Sequence, residues 1–345
     1  MKKAYKFALD LDWDLISLIS QIDRFDSAWS SLERIERGNL KRLKTFATIQ
    51  SVGASTRIEG SKLTNDAIEV LLSNVKINKL EERDSQEVVG YYETLDLVIN
   101  SYNDIELTEG NIKNLHNVLM KYNIKDEWHK GDYKKLCNAV EATYPDGTKK
   151  IIFQTTEAGM PTNEAMASLL RWYKNETTIH QLVKISILTY EILSIHPFQD
   201  GNGRLSRLLT TLLLLQSGYV WIQYISFEHE IENQKDEYYR VLQACQKNRP
   251  NENITSWIKF FLTALFNVYK KLEAKLSYKN LHDQLTPKEK SIITYIGAKS
   301  GCKSSDIADF LNIPQPTIKR ILPTLLSKNL IKKYGKGPGT NYSLI

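Results

Sequence analysis

His196-Pro197-Phe198-Gln199-Asp200-Gly201-Asn202-Gly203-Arg204-Leu205-Ser206-Arg207 lies between two apolar runs with helical spacing, 182–193 and 205–215. Pro197 cannot continue the first helix and biases His196 away from α geometry. Gly201 and Gly203 let backbone N–H groups approach an anion, and the N-terminus of a helix starting near Asn202 adds a dipole that favours phosphate. Arg204 and Arg207, three apart, share a face of that helix and can fork onto phosphate oxygens. Asp200 offers a hard carboxylate for Mg²⁺, and His196 is the one group here able to take a proton near neutral pH. An anion cradle, a metal carboxylate, two arginines and a base together describe phosphoryl-type chemistry. No Gly-Lys-Ser/Thr follows, so this is not a Walker A loop.

Outward from the loop the chain reads as helical. Leu15, Ile16, Ile19 and Ile22 recur at helical spacing within 13–50, ahead of a polar, basic helix-like run from Arg34 to Lys44. Thr108 reads as the N-cap of a helix whose face carries Ile112, Leu115, Leu119 and Met120. His116 sits beside that face and reads as a packed helix histidine. Residues 131–162 break the rhythm. Asp146-Gly147 is a turn signal, Ile151-Ile152-Phe153 a β-prone run, and Gly159 and Pro161 follow, so a hairpin between helices is expected. Helical spacing resumes at Met166, Leu169, Leu170 and Tyr173, and further helices are expected over 234–247 and 254–275. The expected fold class is mainly α, a helical body with one small β-hairpin.

A polar helical connector over 271–285 leads to a different texture. Leu285-Thr286-Pro287 starts a helix, Ser305 to Leu311 makes a second, Asn312-Ile313-Pro314 turns, and Thr317 to Leu326 makes a third. Two strand-like pieces, 330–334 and 340–344, flank Gly335-Lys336-Gly337-Pro338-Gly339, which is the plan of a winged helix. Residues 286–345 hold ten Lys/Arg against three Asp/Glu, leaving 36 basic against 37 acidic residues elsewhere. Any nucleic-acid role therefore belongs to this segment. Pro323 falls within the expected recognition helix, 315–328, where its missing N–H should kink or end the helix.

The twelve residues from His196 to Arg207 match in full the signature of the Fic (filamentation induced by cAMP) family, His-Pro-Phe-x-Asp-Gly-Asn-Gly-Arg-x-x-Arg, and the chain resembles that family over roughly 40–270. The resemblance implies a protein adenylyltransferase that uses ATP and Mg²⁺. By that likeness His196 deprotonates a Ser, Thr or Tyr hydroxyl of a target protein and Asp200 holds Mg²⁺. Gly201, Asn202 and Gly203 would line the α/β-phosphate site, and Arg204 and Arg207 would grip the β- and γ-phosphates. The hydroxyl then attacks the α-phosphate and pyrophosphate leaves. The related death-on-curing kinases resemble this pattern but carry Lys where this chain has Gly203, which argues for AMP transfer.

Further segments extend the likeness. Ser55-Thr56-Arg57-Ile58-Glu59-Gly60 resembles the family's inhibitory motif, Ser/Thr-x-x-x-Glu-Gly/Asn, and implies an N-terminal inhibitory helix near 50–60. Glu59 would pair with Arg207 as a buried, charge-assisted fork and remove the γ-phosphate clamp. Ile151, Ile152, Phe153, Gln154 and Thr155, with the residues to Thr162, resemble the family's flap, whose edge would hold a target segment by strand addition. Tyr238 and Tyr239 resemble a pair that walls the adenine site in relatives, and an ordinary core role stays open for them. Residues 286–345 resemble winged-helix modules found after some Fic cores, with Lys319 and Arg320 exposed and Lys332, Lys333 and Lys336 around the wing. The implied organisation is a helical region at 1–100, a core at 101–270, the connector at 271–285 and the winged helix at 286–345.

Other readings stay open at this level. AMP removal with Glu59 positioning water, transfer of another nucleotide or phospho-group, and a nucleotide-sensing DNA-binding regulator all use the same residues. The tail fits DNA, a target protein or a homodimer contact. Composition narrows the setting: 345 residues, 42% hydrophobic and 25% charged, are ordinary for a globular protein. Cys137, Cys245 and Cys302, odd in number and far apart, exclude a disulfide framework and a Cys-rich zinc site and suit a reducing cytoplasm. Asp10, Asp12 and Asp14 break the stretch after Met1-Lys2-Lys3, so no signal peptide is expected. The longest apolar run, 208–215, is interrupted by Thr210 and Thr211 and is too short for a bilayer, so no membrane partner is expected.

Overall fold

Apolar residues three and four apart fold most of this chain into helices, and the computed structural model describes residues 8–10, 12–74, 80–143, 149–283, 285–328, 330–335 and 337–344. Two compact units result, Met1–Lys270 and Lys271–Ile345.

The first unit opens with α1 (Trp13–Ile58), 46 residues long, N-capped by the Asp12 carboxylate on the Leu15 N–H. The two runs expected at 13–50 and 50–60 are thus one helix, and the Ser55–Glu59 motif is its C-terminal end. Leu15, Ile22, Phe25, Trp29, Val52 and Ile58 form its buried stripe. α2 (Asn65–Ser73) and α3 (Arg83–Ser101) follow; nothing in the periodicity above singled out either. α4 (Glu109–Leu119) is capped by Thr108 on the Asn111 N–H, and Ile112, Leu115, Leu119 and Met120 are all buried.

Strands β1 (Ala139–Thr143) and β2 (Lys149–Gln154) pair antiparallel from Ala139↔Gln154 to Thr143↔Lys149, with a bulge at Val140/Glu141. The turn signal Asp146-Gly147 lies outside the described residues, and so do the side chains of Ile151 and Ile152. Then come α5 (Met160–Asn175), α6 (Gln181–Ile195), α7 (Asn202–Gln216), α8 (Phe227–Asn233), α9 (Lys235–Gln246) and α10 (Thr255–Asp283), whose residues from Lys271 onward count with the second unit. Every residue of α6 from Leu182 to Ile195 is buried, as are most of α7. Helices apolar all round occupy the centre of a fold, and these two meet at the loop 196–201.

The second unit holds α11 (Pro287–Ala298), α12 (Ser304–Leu311), α13 (Gln315–Ser327) and an antiparallel pair, β3 (Ile331–Tyr334) and β4 (Asn341–Leu344). Thr286 and Glu289 form a capping box at the start of α11. Ile292, Ile296, Ile307, Ile318, Leu322 and Leu325 make its core. Of the kink or end expected at Pro323, the end does not occur: α13 runs through it to Ser327. Pro323 is exposed between buried Leu322 and Leu325, so its ring lies off the packed face while the apolar side chains hold the helix. Lys336 lies outside the described residues. Among the described residues no helix is long and apolar enough to cross a membrane.

Candidate active site

His196 terminates α6 in the left-handed region, φ 53°, with its N–H on Ile192 O at 2.9 Å. Non-glycine residues visit that region rarely, so the turn is held by what surrounds it. Phe198, wholly buried, anchors the loop two residues on. The His196 Nδ1 is 3.3 Å from Leu193 O, which makes Nδ1 the protonated nitrogen and leaves Nε2 a free lone pair. Burial pushes the imidazole down to about 4, so the ring is neutral at physiological pH.

Asn202 closes the loop on itself. Its Oδ1 accepts the Phe198 N–H at 2.8 Å, and its Nδ2 donates to Phe198 O at 2.8 Å. The Asn202 side chain is thus committed to holding the loop, next to the Gly201 and Gly203 backbone. Gly201, φ 77°, starts α7, and a β-carbon there would crowd Met120 Sδ and His116 Nε2 at 3.2 and 3.3 Å.

Arg204 and Arg207 leave the first turns of α7, each with a side chain 2% exposed. Arg207 donates through Nε to Ser55 Oγ (2.8 Å), and through Nη2 to Ser55 O (2.9 Å) and Glu59 Oε1 (2.7 Å). Arg204 lies 3.2 Å from the Glu87 carboxylate and 3.4 Å from Asp200, and its Nε has no hydrogen-bond partner among the described residues. A buried donor without an acceptor costs about 1–3 kcal/mol, so this corner favours anionic oxygens. Burial opposes ionisation of Asp200, but Arg204, the Gly201 N–H and Arg83 outweigh it and hold the carboxyl below its ordinary range.

Glu59 is the C-cap of α1, and Gly60, φ 110°, turns the chain away from it. The segment is anchored on both sides. Arg57 forks onto Glu232 at 2.6 and 3.1 Å, and Asp84 accepts from Ser61 Oγ (3.1 Å) and the Lys62 N–H (2.9 Å). The Glu59 carboxylate sits directly over Gly203, where a β-carbon would overlap its Oε1. It thereby occupies the positive end of α7, where an anion is favoured. The Glu59 side chain is 29% exposed, so the ion pair is buried on the Arg207 side only.

His116 is a site residue whose neighbours only the tertiary structure supplies. It is fully buried, stacks on Phe198 at 3.8 Å, accepts the Gly131 N–H at Nδ1 (2.9 Å) and meets Asp200 O through Nε2 (3.0 Å). Those partners fix the Nε2–H tautomer, and burial lowers its pKa to about 4. Lys134 does similar work on the side of the β1–β2 hairpin. Its Nζ joins Thr155 Oγ1 (2.8 Å), Asn138 Oδ1 (2.9 Å) and Ile195 O (3.1 Å), while its N–H bonds Pro197 O at 2.8 Å. The end of β2 is therefore tied to the His196 turn through buried Thr155, while Phe153 is half-buried and Gln154 exposed. Tyr238 is buried against Tyr239, Trp257 and Phe260 with its hydroxyl beside Arg207, whereas Tyr239 is half-buried. Tyr238 is thus a core residue behind the arginine.

Among the described residues no three His, Cys, Asp or Glu side chains gather into a metal site. Mg²⁺ is commonly held by one or two carboxylates together with substrate phosphates, so the single carboxylate of Asp200 fits a nucleotide-borne cation.

Residues 106–214 match the family model described as the Fic/DOC family. A protein adenylyltransferase Fic from Drosophila erecta is 27% identical over 218 residues, 60% of this chain and 41% of that one. Its Drosophila melanogaster counterpart is 26% identical over 209 residues, 58% and 39% of the two chains. The chain thus spans about two fifths of the length of these curated relatives. Among solved structures, a Fic family protein from Desulfovibrio desulfuricans G20 superposes with a TM-score of 0.65 at 23% identity, over 99% of this chain and 98% of that one. A Fic domain containing signaling protein from Bacteroides thetaiotaomicron gives 0.56 at 24% identity, over 71% and 92%. The fold is a Fic-type helical fold.

Proposed function

Because this chain belongs to the Fic family, we propose that it is a protein adenylyltransferase, moving AMP from ATP onto a Ser, Thr or Tyr hydroxyl of a target protein or of itself. The observation that carries this reading is the convergence of Arg204, Arg207, Asp200 and a neutral His196 around the N-terminus of α7. The names of the relatives and the absence of a Lys at position 203 support it.

In the proposed reaction the triphosphate lies along the start of α7, close to the backbone of Gly201 and Gly203. Arg204 and Arg207 offer their guanidinium donors to the β- and γ-phosphates. Asp200 is the carboxylate that would hold Mg²⁺, which when bound neutralises phosphate charge. His196 Nε2 accepts the proton of the target hydroxyl as its oxygen bonds to the α-phosphorus. The bond from that phosphorus to the bridging oxygen breaks, and pyrophosphate leaves with the electron pair. The negative charge of the triphosphate raises the proton affinity of the buried imidazole when a base is needed. The free edge of the hairpin, tied to the His196 turn through Thr155 and Lys134, would seat the target segment. Glu59 is read as the inhibitor, because its hold on Arg207 competes with the γ-phosphate. The C-terminal unit, with exposed Lys319, Arg320, Lys332 and Lys333, is read as a winged helix that contacts nucleic-acid phosphates.

Incubating the full chain with ATP labelled at either the α- or the γ-phosphate, and following label and mass on protein, tests the reading. The α-label alone should attach, and His196→Ala should lower attachment by ~10²–10⁴ while ATP still binds. Attachment of the γ-label would overturn AMP transfer, and full activity in His196→Ala would remove the assigned base.

A further inference from the structure

We propose that Arg83 governs the access of a divalent cation to Asp200, a role that rests on the adenylyltransferase reading above. Arg83 is the first residue of α3, far in sequence from the phosphate loop, and its side chain is 61% exposed. Its Nη2 lies 2.9 Å from Asp200 Oδ2 and its Nε 2.8 Å from Glu87 Oε1. Glu87 Oε2 in turn lies 3.2 Å from Arg204 Nη1, and Arg204 Nη2 lies 3.4 Å from the same Asp200 oxygen. Two carboxylates and two guanidinium groups therefore close a ring in which each charge neighbours its opposite. The other Asp200 oxygen accepts the Gly201 N–H at 2.6 Å, so both are engaged.

A magnesium ion binds a carboxylate oxygen at about 2.0–2.1 Å. It cannot share Oδ2 with a guanidinium head-on, because the two positive charges repel at that range. One arginine must yield. Arg204 is 2% exposed and built into α7, whereas Arg83 stands in solvent and keeps its Nε bond to Glu87 when Nη2 lets go. Arg83 is thus a tethered competitor for the cation's ligand. It is a positioning residue, and its effect is modest because exposed ion pairs are weak.

The test compares ATP affinity of the full chain, by calorimetry, in excess Mg²⁺ and in EDTA. Arg83→Ala should raise the ratio of the EDTA to the Mg²⁺ dissociation constant about 3- to 5-fold, by freeing the carboxylate for the cation. Arg83→Lys, which restores the charge, should return the ratio toward wild type. An unchanged or lower ratio in Arg83→Ala overturns the proposal; equal weakening in both conditions would make Arg83 a phosphate ligand instead. Asp200→Ala separates this from failure of the underlying reading. It should bring the ratio down toward unity, and a wild-type ratio there would mean that the cation is not on Asp200, removing the site assignment and the gate with it.

Discussion

Replacing Glu59 with glycine should release Arg207 and raise AMP transfer, and the structure sets the size of the gain. The carboxylate makes one charge-assisted hydrogen bond to Arg207, 2.7 Å long. Such a bond contributes about 1.5–3 kcal/mol net. The 29% exposure of Glu59 places it toward the lower part of that range, below what a fully buried pair would give. Arg207 does not collapse when Glu59 is removed, because Ser55 Oγ and Ser55 O still hold two of its donors. Glycine is also tolerated at a helix C-cap, so α1 should keep its end. At about 1.4 kcal/mol per factor of ten, the gain in initial rate is ~10- to 30-fold. The assay is incorporation of α-labelled ATP into protein by wild type, Glu59→Gly and Glu59→Gln at equal Mg²⁺, with the glutamine variant, uncharged but still an acceptor, falling between. A change of less than about two-fold in Glu59→Gly would refute the inhibitory role, whatever the geometry of the pair.

Burial keeps His196 neutral down to about pH 4, so kcat/KM for ATP should stay level from pH 8 to about 5, while the acid limb of kcat, which reports the nucleotide complex, should lie higher; a kcat/KM profile bending near 6.5 would contradict this. His196 and His116 both have folded pKa values near 4 against 6.5 unfolded, so the unfolded chain binds more protons between those values. Stability should be full above pH 6.5 and fall toward pH 4, by up to about 1.4 kcal/mol per pH unit for each ring, readable as Tm against pH. His116→Ala removes the support under Asp200 O and strands the Gly131 N–H, and should cost ~2–4 kcal/mol in chemical denaturation with a parallel loss of transfer. The full chain should bind mixed duplex DNA at low salt through its C-terminal unit, with log affinity falling by about 0.9 per phosphate contact per log unit of salt; Lys332→Glu with Lys333→Glu should flatten that slope, and identical titrations would assign the basic unit to a protein partner.

Much of the molecule was legible in the chain itself. Helical spacing marked α4, α6 and α7, a capping residue marked the start of α4, and the twelve residues from His196 to Arg207 carried the family likeness and the candidate site, because these signals are local. Pro323 misled for the same reason: a local rule spoke of a lost N–H, while Leu322 and Leu325, buried in the second unit's core, held the helix. Only tertiary structure could commit the Asn202 side chain to the loop, seat Tyr238 behind Arg207, and bring Glu87 and Arg83 against Arg204 and Asp200. It alone gave His116 its contact with the Asp200 carbonyl, 84 residues away, and depressed the two histidines by surrounding them. The sequence by itself determined which groups are available and most of the helical segments, α2 and α3 excepted, since spacing and side-chain type are properties of neighbours in the chain. Which groups meet, and with what proton affinity, was decided in three dimensions, because electrostatics and desolvation depend on distance and burial and not on sequence separation.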